Sequence, residues 1–117
     1  MREAEQAVCW VIDNYIDCVK FDVYTDTIKS IAVYLEYNKA DSYSSMTMMY
    51  GVLFTLALIE YYTSIEYYEK CHQLQQGILR INDLYGANLP TSMRDKWVLE
   101  NMHLTPSEIL NKHYKNK

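Results

Sequence analysis

Between Ser42 and Ile59 the chain runs for 18 residues without a charge, and its centre reads MMYGVLFTLALI. No other segment restricts the fold as strongly. A run of that length is at the lower edge of what crosses a bilayer, yet it opens with Ser-Tyr-Ser-Ser and carries Thr47, Gly51 and Thr55. Asp41 and Glu60 flank it, where a membrane span usually has Lys or Arg anchors. The expectation is a helix over about 46–60, apolar nearly all round and therefore buried at the centre of a globular fold. A membrane partner is not expected.

The surrounding sequence supplies helices to cover it. Half of the chain is hydrophobic, 22% is charged, and only 3 Gly and 2 Pro are present, too few for a fold made of many hairpins. Residues 2–20 place Ala4, Ala7, Val8, Val11, Ile12, Tyr15, Cys18 and Val19 on one face, with Asp13 and Asp17 opposite and Trp10 off the apolar stripe. A second helix is expected from Asp26 to Lys39 behind Thr25 as N-cap, with Ile28, Ile31, Ala32 and Leu35 inward. Val33 and Tyr37, four apart, fall on its far side. Asp41 to Ser45 reads as turn and capping residues.

Further on, Tyr67, Cys71, Leu74, Ile78, Ile81 and Tyr85 are spaced 4, 3, 4, 3, 4, a heptad seam for near-parallel helix packing. The same register runs backwards through Met46, Tyr50, Leu53 and Ala57 and fails at Glu60 and Ser64, which predicts a break near Thr63-Ser64. Gly86 reads as a C-terminal cap, and Ser92 as the start of a short helix to Met102. Thr105-Pro106-Ser107-Glu108 combines an N-cap Thr, Pro at the first helical position and Glu two further on, so a last helix begins at Pro106. No strand pattern is seen. The fold expected is all-α, one domain over 1–117, a compact bundle of four to six helices with a short basic helical pair at 91–117.

Charge and cysteine content narrow the function. With 15 acidic and 11 basic side chains the chain carries −4, a poor balance for phosphate contacts. Residues 91–117 carry 5 Lys/Arg against 3 Asp/Glu, and their two short helices fit the outline of a helix-turn-helix. The basic residues, however, gather at the far end of the last helix, away from the turns that read bases, so nucleic acid is not expected as a partner. Cys9, Cys18 and Cys71 form no CxxC pair and are odd in number, which points to a reducing, cytoplasmic setting. Met1 to Gln6 is charged and no apolar signal region follows.

Two Glu-x-x-His pairs, Glu69/His72 and Glu100/His103, are the best metal-ligating pattern, because i and i+3 share a helix face and two such pairs occur in di-iron bundles. Glu69 and His72 lie off the heptad seam, and Gly86 and Pro90 separate the two pairs. A surface role is the expectation for them. Asp13/Asp17 and Asp22/Asp26 read as solvated faces, and Glu60 and Glu66 as partners for neighbouring tyrosine hydroxyls. No nucleophile motif or phosphate-cradling loop is present, so no catalytic residue, cofactor or small-molecule substrate is expected.

The residual signal is aromatic. Twelve Tyr stand against two Phe, a preference for positions that are only half buried. The expectation is a non-catalytic interaction protein (an adaptor, an assembly subunit or an inhibitor of a larger partner) or a self-associating one. Its surface would comprise Trp10, Val33, Tyr37, Tyr67, Leu74, Ile78, Ile81 and Tyr85. A metal protein using the two Glu-x-x-His pairs is the alternative, and a nucleic-acid binder the second.

Overall fold

The computed structural model describes residues 3–19, 21–85 and 93–115. Seven α-helices and one 3-10 turn account for nearly all of them, and no strand occurs among them. The helices are α1 (Glu3–Tyr15), α2 (Thr25–Glu36), α3 (Ala40–Tyr50), α4 (Val52–Ser64), α5 (Tyr68–Tyr85), α6 (Met93–Glu100) and α7 (Pro106–Lys115), with the 3-10 turn at Ile16–Cys18. The class is the expected all-α bundle, but with shorter and more numerous helices.

The central helix is α4. Every residue from Val52 to Ile59 is buried, including Phe54, Leu56 and Leu58, and α1, α3, α5, α6 and α7 all pack on it. It begins at Val52 rather than near Met46, because Gly51 interrupts the apolar run. Gly51 has φ 110° and ψ 155°, a conformation open almost only to glycine, and serves as both the end of α3 and the start of α4. Thr47 and Thr55 meet across that corner with hydroxyl oxygens 2.7 Å apart. Thr47 also donates to the Tyr43 carbonyl, so the pair is satisfied inside the core.

Asp41 to Ser45 is helix, not turn. Ser44 and Ser45 hydrogen-bond the carbonyls of Ala40 and Asp41 one turn back, which keeps these polar side chains compatible with α3. The break near Thr63-Ser64 is present: α4 ends at Ser64, and Glu66 turns the chain at φ 61°. The first helix is shorter than expected, since the 3-10 turn takes over at Ile16; Cys9 and Cys18 therefore do not share one α-helix. Tyr24, not Thr25, caps α2, which ends early at Glu36 because Asn38 enters the left-handed region at φ 53°. At α7 the Glu108 N–H donates to Thr105 Oγ1 at 3.2 Å, the cap read from the sequence. The caps expected at Gly86 and Ser92 fall outside the described residues.

Helices α3 and α5 make the closest approach in the bundle. Ser44 Oγ reaches the Gly77 carbonyl at 2.8 Å, and a Cβ placed on Gly77 would lie 2.8 Å from Tyr43 Cβ. Only hydrogen fits there. Leu74, Ile78 and Ile81 are buried along the same line, while an exposed Arg80–Asp41 pair at 2.9 Å closes the rim.

A candidate interaction surface at the α2 and α5 ends

The seam residues expected to meet a partner divide into two groups. Leu74, Ile78 and Ile81 are core, because α3 and α4 of the same chain cover them. Their surface role is corrected. Trp10 is half-buried as well: its ring centroid lies 5.8 Å from that of Tyr15 and 5.6 Å from that of Tyr61, so α4 covers the side left open by the α1 stripe. Tyr85 ends α5, and its side chain lies outside the described residues. What remains exposed is Val33, Tyr37 and Tyr67, at 42%, 58% and 43%.

One buried cation links the end of α2 to the start of α5. Lys70, only 7% exposed, points inward from the first turn of α5 and donates from Nζ to the Leu35 carbonyl at 2.7 Å. The Tyr43 hydroxyl shares its one hydrogen between the same carbonyl, at 3.1 Å, and Asn38 Oδ1, at 3.2 Å. A positive charge at the C-terminal end of α2 complements the helix dipole. The Nζ stands 5.2 Å from the centre of the Tyr62 ring and 5.6 Å from that of Tyr67, both within cation–π range. Burial pulls the Lys70 ammonium below its ordinary value, opposed by the carboxylates of Glu3 and Glu36. The Tyr62 hydroxyl is buried there with no hydrogen-bond partner.

The link has a geometric consequence. Leu35 and Lys70 join the end of α2 to the start of α5, so Tyr37 and the corner between α4 and α5 occupy one end of the bundle. That corner, Ile65-Glu66-Tyr67-Tyr68-Glu69, is exposed at all five positions, with Tyr68 61% accessible. Sequence reasoning missed Ile65, Tyr68 and Lys70. The two exposed residues belong to the break rather than to a periodic face. Lys70 lies one residue before the seam position Cys71, and its type alone suggests solvent.

Other pairings follow elementary satisfaction of polar groups. Glu60 accepts a tyrosine hydroxyl at 2.8 Å, but from Tyr15, 45 residues away, rather than from a neighbouring tyrosine, and Glu66 is exposed. Burial, and next the bond to Glu60, push the Tyr15 hydroxyl up to about 12. Glu69 and His72 are exposed on α5. Glu100 is the last residue of α6 and His103 lies in the following turn, so that pair does not share a helix face. Among the described residues no group of three or more His, Cys, Asp or Glu side chains is placed to hold a metal ion. Asp13, Asp17, Asp22 and Asp26 are exposed.

In the C-terminal pair, Val98, Ile109 and Leu110 are buried, and both helices pack on α4. That leaves Ser107, Glu108, Asn111 and Lys112 outward on the first turns of α7, a set with one basic side chain. No described helix is long and apolar enough to cross a membrane. Comparison of the chain with protein-family models, with curated proteins and with solved structures finds no match.

Proposed function

We propose that this chain is a non-catalytic protein–protein interaction module, an adaptor, assembly subunit or inhibitor, which meets its partner at the end of the bundle formed by α2 and α5. The observation that carries the reading is a contrast among tyrosines. Tyr43 and Tyr62 are completely buried, whereas Tyr37, Tyr67 and Tyr68 stand out with much of their surface in water, as do Val33 and Ile65. Interfaces draw their anchors from exposed aromatics of this kind. The three free cysteines support a reducing, cytoplasmic setting for it.

The test is isolation of the tagged chain from its native host, with identification of co-purifying proteins. The reading expects one near-stoichiometric partner that is lost from a Tyr37→Ala/Tyr68→Ala double variant whose far-UV circular dichroism is unchanged. A lone, monomeric chain, or a partner that the double variant retains in full, overturns it.

A further inference from the structure

Independently of that reading, we infer that the corner at Gly51 is a hinge through which two copies of this chain exchange halves. In the exchanged form α3 and α4 join into one straight helix, which carries α4–α7 of each copy onto α1–α3 of the other. A single residue separates the two helices, since α3 ends at Tyr50 and α4 begins at Val52. Helical hydrogen bonds reach Gly51 from both sides: its N–H donates to the Thr47 carbonyl at 2.8 Å, and its carbonyl accepts from the Thr55 N–H at 3.3 Å. Straightening only fills in the rungs between. With φ 110° and ψ 155° Gly51 makes the corner; with ordinary helical values it would give one helix from Ala40 to Ser64, about 37 Å long.

The core is shared across this hinge. Helix α1 packs on α4 and α3 on α5. Ser44 bonds the Gly77 carbonyl, Tyr15 bonds Glu60 and Lys70 bonds the Leu35 carbonyl, each from one half to the other. A copy that opens exposes both halves, and a second open copy restores all of these contacts. The contact given up is the Thr47–Thr55 hydroxyl pair, because residues eight apart in a straight helix lie about 12 Å apart. The surface beside the hinge suits a second copy. Met48 and Met49, in the last turn of α3, are 44% and 51% exposed, and no charge lies between Ser42 and Ile59. A two-fold axis brings the two hinges together in the exchanged dimer, so these apolar flanks meet with no like charges to hold them apart.

The experiment is size-exclusion chromatography with light scattering on the full chain and on Gly51→Ala, each refolded from urea over a series of protein concentrations. Alanine strains the corner and favours the straight helix. The expected result is a dimer constant raised about 100-fold, about ten-fold for each of the two corners relieved. In a dimer of isotope-labelled and unlabelled chains, a filtered NOE experiment then finds the Tyr43–Gly77 contact between copies rather than within one. Two glycines inserted after position 51 of Gly51→Ala lengthen the connection and return a folded monomer. A folded Gly51→Ala monomer, or a dimer that keeps the Tyr43–Gly77 contact within each copy, overturns the inference. So does a Gly51→Ala chain that folds in neither form, or a dimer that persists with the two glycines inserted.

Discussion

The first turn and the middle of α5 meet the rest of the molecule in opposite ways. Around Gly77 the helix is pressed onto α3 so closely that a hydroxyl of Ser44 touches the backbone carbonyl, and Leu74, Ile78 and Ile81 lose all or nearly all contact with water. At its start the same helix is held off by side chains, with Lys70 reaching to Leu35 and the tyrosine rings grouped around it. Small residues build the closed stretch and large amphipathic ones the open end. The first arrangement is complete in itself; the second leaves aromatic surface uncovered.

The contrast breaks most visibly at Gly77. Gly77→Val is expected to cost about 3 kcal/mol, the upper part of the overpacking range, because its Cβ would meet both Tyr43 Cβ and the Ser44 backbone. Urea unfolding measures it, and a loss below the scatter of the method would mean that α3 and α5 are not in contact. Lys70→Ala is next, at about 1.5–3 kcal/mol, for loss of a charge-assisted bond to a buried carbonyl.

Alkaline pH attacks the tyrosine cluster. Burial pushes the Tyr43 hydroxyl up to about 12, and Tyr62 is raised further. A folded-state value above that of the unfolded chain gives stability that is complete below about pH 10. It is lost as pH rises towards 12. Lys70 acts in the other direction, because its lowered value makes folding more favourable as pH climbs to its ordinary range. Stability should therefore hold or rise slightly up to about pH 10 and then fall steeply, and Tyr43→Phe should make the fall shallower. Urea midpoints at a series of pH values test both arms.

Smaller effects separate covering from contact. Tyr62→Phe keeps the ring beneath Lys70 and removes a buried hydroxyl that has no partner, so stability should rise by about 1 kcal/mol. A loss would show that the hydroxyl is satisfied in solution. Tyr68→Ala should change stability by less than about 0.5 kcal/mol, as at other exposed positions, while weakening partner capture.

Much of the fold could be read from the residues. The all-round apolar character of Val52 to Ile59, the break at Ser64 and the cap at Thr105 each express a local rule. Gly77 is different: a lone glycine inside a helical pattern does not say what approaches it, and only the fold puts Tyr43 and Ser44 there. The open end was less legible for a physical reason. Periodicity tells which face of α5 is apolar, but not whether α3 of the same chain or another protein covers it. Leu74, Ile78 and Ile81 were therefore grouped with Tyr67, although the fold buries the three and exposes the fourth. Lys70 defied its type because a helix end opposite it offered a carbonyl in the right place, a tertiary fact with no local sequence signal.

The central claim is that partner contact occurs at the open end and leaves the closed stretch untouched. Hydrogen–deuterium exchange on the chain alone and with its co-isolated partner tests it most directly. The account predicts added protection at residues 33–39 and 64–70, with amides 74–81 unchanged. Protection confined to α6 and α7, or spread evenly over the chain, would contradict it.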